Sequence, residues 1–343
     1  MRIIFLAALF VTLMATACLP VDKPVDEVFL PTSSSTSTPP EQEANTLAFE
    51  TSFTDVPVLQ TETPLITEEP QSGVIELFCE DNYCNYFWPG WLERPIGADG
   101  IQMIDRSYPY GSRGDSDDLD LHYGVEFLNR HGTPVFAAQT GDVVFAGTDD
   151  TVKLSPFFAY YGNVVILRHS GLLETGQDVY TLYAHLSEIN VREGKQVAVG
   201  DEIGKVGASG SAYGPHLHFE VRLNDINYAN TVNPMLWFAP LKENDHPQLA
   251  TLSGVVLDRD GNPVSKLTLT LEKLSASGEV EAYYYPVTYY PTGLNSHPLL
   301  NENFVFPDIP AGEYRLGLIA GRYHEYFFLL EPGSVGFIEI QLD

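Results

Sequence analysis

A chain of 343 residues exceeds the usual size of one compact domain and can bury a sizeable core, so two folded units plus tails are expected. Its 46 acidic and 18 basic side chains give a formal net charge of −28, which repels a phosphate backbone and argues against nucleic acid as a partner. With 19 Tyr, 19 Phe, 28 Gly and 24 Pro and little sustained helical periodicity, the chain reads as mostly β, built from short strands and turns.

Residues 1–17, MRIIFLAALFVTLMATA, place Arg2 ahead of an apolar run too short and too close to the terminus for a spanning helix, and read as an export signal. The run ends in Ala15-Thr16-Ala17-Cys18, which resembles the lipobox of bacterial lipoproteins. That resemblance implies removal of the signal, acylation of Cys18 and anchoring to the cell membrane; plain secretion is the alternative. Either outcome places the mature chain outside the cytoplasm. The rest of segment 18–72 is rich in Pro, Ser, Thr and Glu, as in LPTSSSTSTPPEQEANT, with too few clustered apolar residues for a core. It reads as a disordered tether with a root-mean-square reach of roughly 40 Å.

From residue 73 to 240 the composition changes to strand-like runs with Gly-bearing turns, such as TPVFAAQTGDVVFAG and GNVVILRHS. KQVAVGDEIGKVGASG, with glycines at short intervals between β-branched residues, predicts tight hairpins. Cys79 and Cys84 are a close, even pair in an oxidising compartment and read as a local disulfide. A two-thiolate zinc site would need two further ligands nearby, and none is visible.

GPHLHFEV carries His216 and His218, which on a strand share one face about 6.6 Å apart. At that spacing one imidazole is placed to bind a metal while the other stands beside the reacting water; a solvent-facing or structural pair is the plainer alternative. LHYGVEF supplies His122 and Glu126, which would be about 13 Å apart if fully extended, too far to share an ion, although Gly124 allows a bend. His185 ends another apolar run, YTLYAHLSEI. Four histidines and one carboxylate suffice for three zinc ligands with an open position, leaving imidazoles for acid–base work.

The order His122-Tyr123-Gly124-Val125-Glu126, then Tyr183-Ala184-His185-Leu186, then Gly210 through Glu220, resembles the lysostaphin/LytM-type zinc endopeptidases, metallopeptidase family twenty-three, over about residues 90–238. The resemblance implies a compact antiparallel β domain with a groove, a zinc ion on His122, Glu126 and His218, and catalytic roles for His185 and His216. It further implies hydrolysis of peptide bonds in bacterial peptidoglycan. One departure stands out: the usual aspartate is Glu126 here, whose extra methylene demands backbone adjustment. This keeps an alternative open, a non-catalytic wall-binding or hydrolase-activating lipoprotein with a degenerate metal site.

Residues 249–343 show period-two runs separated by turn signals such as Asp260-Gly261-Asn262-Pro263, and predict a small antiparallel β-sandwich. The pattern resembles carboxypeptidase-regulatory-like modules and implies either a wall or protein ligand or a passive stabilising role. The acidic run GDSDDLD at 114–120 lacks the glycine of an EF-hand loop and reads as a solvated loop. His131, His169, His246, His297 and His324 read as exposed or structural.

Overall fold

In the segment Leu217–Leu223, residues of alternate parity face opposite sides. Leu217, Phe219, Val221 and Leu223 enter the largest hydrophobic core with Val125, Phe127, Tyr183 and Trp237. His218, Glu220 and Arg222 therefore share the other face. The structure, a computed structural model, describes residues 74–113, 121–241, 249–289 and 293–343, all within one unit. The export signal, Cys18, the tether, the acidic run at 114–120 and His246 lie outside the described residues.

Leu217–Leu223 is central to a seven-stranded sheet. It pairs antiparallel with Val179–Ala184 on one flank, and with the short strands Val125–Phe127 and Thr231–Val232 on the other. Asn163–His169, Gly141–Thr148 and Gln196–Val197 complete the sheet. A three-stranded sheet of Pro134–Phe136, Glu202–Val206 and Leu186–Ile189 lies off it. The expected hairpin in KQVAVGDEIGKVGASG is not formed. Gly200 turns the chain at φ 82°, but Gln196–Val197 pairs with Gly141–Thr148 while Glu202–Val206 joins the three-stranded sheet. The glycines mark a change of sheet.

The C-terminal residues build a four-stranded antiparallel sheet, in the order Val280–Tyr284, Thr270–Leu274, Gly312–Ala320, Arg322–Leu330. A five-stranded sheet runs in the order Ile75–Glu80, Tyr83–Phe87, Ser334–Gln341, Leu249–Leu257, Phe304–Pro310. Leu252, Ile309 and Ile338 from the second meet Leu271, Tyr314 and Phe328 from the first in a common core. Two features depart from what the sequence predicts. Leu249–Leu257 and Ser334–Gln341 run parallel, whereas an all-antiparallel arrangement is expected from the alternation; the whole four-stranded sheet intervenes in sequence and serves as the crossover a parallel pair needs. Residues 75–87, placed by composition with the unit ending at 240, instead form a hairpin on the C-terminal strand, with Tyr83 opposite Ile338 and Phe87 opposite Ser334. A disulfide joins Cys79 and Cys84 across the hairpin.

Polar bonds tie these C-terminal sheets to the site-bearing sheet. Arg94 forks onto Asp308 at 2.8 and 3.0 Å, and the Tyr110 and Tyr123 hydroxyls donate to the carbonyls of Asn295 and Gly293. His297 is fully buried against the rings of Trp88, Trp91 and Trp237. Glu302, also fully buried, accepts from the Tyr289 hydroxyl, Asn233 Nδ2 and the His297 backbone N–H. Burial pushes its carboxyl up to about 7 despite these donors. A folded-state value above the unfolded one means a contribution to stability that is complete below about pH 4.5 and is lost as pH rises through about 7. Glu302→Gln should therefore flatten the fall in thermal midpoint across about pH 5 to 8. Parallel profiles for variant and wild type would contradict this.

Candidate active site

Register sets the geometry. His218 lies directly opposite Glu126 on Val125–Phe127 and opposite Ala184 on the other flank, so the residue after Ala184, His185, ends beside it. Because the strand carrying Glu126 has only three residues, His122 precedes it in irregular backbone, and the extended 13 Å separation never arises. His122 is fixed instead by the 109–112 loop, its N–H donating to Ser112 O and its carbonyl accepting from Gly111 N. The Tyr108 ring stacks on its imidazole at 4.1 Å. Gly124 matters for closeness and not for a bend: a Cβ there would lie 2.5 Å from His218 Cε1 and 2.8 Å from Phe219 O.

His122, Glu126 and His218 are all buried, with one ligand atom from each falling within 4.8 Å of the others. Glu126 Oε1 is 2.9 Å from His122 Nε2 and 2.9 Å from His218 Nδ1, and these two nitrogens are 3.3 Å apart. Three atoms bound tetrahedrally at zinc distances would stand about 3.3 Å apart, so the set needs adjustment of only a few tenths of an ångström. The longer glutamate reaches both imidazoles. Among the described residues, Glu126 Oε2 is buried without a hydrogen-bond donor, a lone pair for which a cation would be the natural partner. His216 Nε2 lies 3.3 Å from it, but out of line for a hydrogen bond. The outer nitrogens are also engaged: His122 Nδ1 donates to Pro109 O at 3.2 Å and His218 Nε2 donates to Glu220 Oε1 at 3.0 Å, leaving one lone pair of each ring for the centre. The residues fit a zinc ion.

Electrostatics follow from this crowding. Burial alone would raise the Glu126 carboxyl, but His218 and His122 overcome it and hold the group well below the usual carboxylate range. Burial would lower His218, and Glu126 outweighs it, raising the imidazolium to about 10. A metal must displace that proton to bind Nδ1.

His185 and His216 flank the three, with ring centroids 4.8 Å apart and His185 5.7 Å from His218. His185 occupies left-handed backbone at φ 60°, uncommon for a side chain other than Gly and held here by bonds from its N–H to Tyr161 O and from Ser209 N–H to its carbonyl. Its Nδ1 donates to Ser209 O at 2.8 Å, and His216 Nδ1 donates to Gly214 O at 2.8 Å. In both rings Nε2 is left as the proton acceptor. Burial, with His218 nearby, lowers His185 to about 4, so it is a neutral imidazole at physiological pH.

Of the remaining histidines, His169 is a buried structural residue bonded to Thr140 O and Thr181 Oγ1, and His131 is exposed. Sequence reasoning assigned no role to Glu220, Arg222 and Tyr161, fully buried behind His218. For Glu220 and Arg222 the signal was present, since they continue the i, i+2 series of His216 and His218 along one face of the strand Leu217–Leu223 and its approach; Tyr161 carried no such signal.

Two imidazoles and a carboxylate converging on one point, with two further imidazoles alongside, form the constellation of a metal-dependent hydrolase. Residues 120–234 match Peptidase family M23, and this stretch of the chain is an M23 peptidase domain. The chain is 38% identical over 123 residues to the DD-carboxypeptidase/endopeptidase Mpg of Neisseria meningitidis serogroup B, which is 36% of this chain and 24% of that protein. It is 32% identical over 152 residues to the peptidoglycan DD-endopeptidase ShyA of Vibrio cholerae, which is 43% of this chain and 34% of that one. It thus spans well under half the length of these relatives. Among solved structures, the catalytic domain of the antimicrobial peptidase lysostaphin from Staphylococcus simulans is 31% identical, with 41% of this chain and 96% of that one covered at a TM-score of 0.33.

Proposed function

We propose that the protein is a zinc-dependent endopeptidase that cleaves peptide bonds of bacterial peptidoglycan outside the cytoplasm, anchored to the membrane through lipid on Cys18. The observation that carries this reading is the convergence of His122 Nε2, Glu126 Oε1 and His218 Nδ1 within 3.3 Å of one another, with His185 and His216 beside them. The similarity to ShyA, a peptidoglycan DD-endopeptidase, supports the choice of a wall substrate, and the similarity to Mpg, a DD-carboxypeptidase/endopeptidase, supports peptide-bond hydrolysis. The C-terminal residues 249–343 are read as a β-sandwich module that either takes a wall or protein ligand or serves as a passive stabilising unit.

Zinc, when bound, supplies a Lewis acid that polarises the scissile carbonyl and brings the pKa of a ligated water to about 7. The chain supplies the rest. His122, Glu126 and His218 hold the ion. His216, more open than its neighbour, accepts the proton of the attacking water at Nε2. The proton taken up by His216 then passes to the departing amine, while His185, neutral and donating Nδ1–H to Ser209 O, presents an unprotonated Nε2 that accepts a hydrogen bond from the attacking water and orients it.

Purified protein should carry about one zinc and release new peptide amines from isolated cell wall. His216→Ala or His185→Ala should each keep the zinc and lower turnover by about 100-fold or more. His218→Ala should lose both. Wall hydrolysis persisting in His218→Ala would refute the ligand assignment, and zinc loss in His216→Ala would refute the division of roles.

A further inference from the structure

The buried polar group behind His218 has a role of its own. Glu220 is fully excluded from solvent, as are Arg222, Tyr161 and Thr231 around it. Its Oε1 accepts from His218 Nε2 at 3.0 Å and from the Tyr161 hydroxyl. Its Oε2 accepts from Arg222 Nε at 2.8 Å and Thr231 Oγ1 at 3.3 Å. Arg222 is tied down in turn, donating to Tyr161 Oη at 3.0 Å and Ile226 O at 2.5 Å. Replacing such a buried ion pair by apolar residues of similar volume is often neutral or stabilising, so stability alone is a poor reason for it. Every donor but one comes from this cluster's own packing; the exception is His218, which leads to the centre.

We infer that Glu220 is a positioning residue for the zinc centre, its carboxylate fixing the His218 ring so that Nδ1 and not Nε2 meets the metal. The inference rests on the zinc reading above. An imidazole presents one nitrogen or the other according to the bond its second nitrogen makes, and an anionic acceptor also makes the ligating nitrogen more basic. Among the described residues, His122 has the neutral Pro109 carbonyl at 3.2 Å behind it. The two histidine ligands are therefore unequal: His218 is the oriented anchor, and its orientation passes through Glu220 to Arg222 and Tyr161.

The test measures zinc affinity of the full chain by competition with a chromophoric chelator, alongside the thermal midpoint of the metal-free protein. Glu220→Gln keeps an acceptor for His218 but removes the charge, and should weaken zinc binding about 10- to 100-fold. Thr231→Val, which removes the 3.3 Å bond to Glu220 and a 2.9 Å bond to the Tyr228 carbonyl but leaves the carboxylate charge and its bond to His218, should bind zinc as the wild type does. A purely structural role would lower the metal-free midpoint and leave affinity unchanged. Should Glu220→Gln fail to fold, nitrogen-15 histidine spectra of the zinc-loaded wild type decide: the inference requires a proton on His218 Nε2 and on His122 Nδ1. A proton on His218 Nδ1, or equal affinity in wild type and Glu220→Gln, overturns it while leaving the zinc reading intact. A wild type that takes up no zinc overturns both.

Discussion

Gly124→Ala is expected to weaken zinc binding by about 100-fold and to lower wall hydrolysis with it, although the side chain added is a single methyl group. The methyl carbon would sit 2.5 Å from His218 Cε1, 2.7 Å from His218 Nε2 and 2.8 Å from the Phe219 carbonyl. None of these yields cheaply. The carbonyl belongs to the central strand, and the imidazole is bonded on one side to Glu126 and on the other to Glu220. Relief requires the ring to swing, which takes Nδ1 from the centre. Gly214→Ala is the matched control, since a Cβ there meets nothing within 4 Å. Chelator competition on both variants checks the contrast. Equal zinc affinity in the two would show that the His218 ring is free to move and is not held between the two carboxylates.

The second large effect concerns the C-terminal sheets. A fragment ending at residue 241 should lose at least about 5 kcal/mol of stability, as much as many whole domains possess. Truncation removes the strand on which the 75–87 hairpin pairs through Tyr83–Phe87 and strips Asp308 from the buried Arg94 guanidinium. It also removes His297 from among three tryptophans and the Asn295 carboxamide that donates to the carbonyls of Ala229 and Thr231. Breaking a buried ion pair by losing one partner alone costs about 3 to 5 kcal/mol. The comparison is between fragments 74–241 and 74–343, by thermal unfolding and tryptophan emission. A cooperative transition in the shorter fragment within a few degrees of the longer one would show that the C-terminal part is dispensable for the fold.

What was legible in the sequence was local. Alternation in LHFEVRL identifies a strand and its two faces, and the order of His122, Glu126, His185, His216 and His218 identifies the constellation. Pairing across long separations was not legible. Nothing in IELFCEDNYCNYF says that it joins residues 334–341, because period two describes a strand and not its neighbour. The glycines of KQVAVGDEIGKVGASG signal turns equally well for a hairpin and for a change of sheet. For the same reason Gly124 looked like a hinge: its true constraint, the imidazole of a residue 94 positions later, exists only after folding. Whether Glu126 could reach its partners likewise depended on where its three-residue strand begins, which composition does not specify.

That three side chains from separate parts of the chain hold one zinc ion is tested most directly by an anomalous difference map at the zinc edge, from crystals of the full chain grown with zinc. A single peak is expected about 2.0 to 2.2 Å from His122 Nε2, a Glu126 carboxylate oxygen and His218 Nδ1, with the side toward His185 and His216 open to solvent. A map without density at that point, or with zinc held by other side chains, would contradict the assignment.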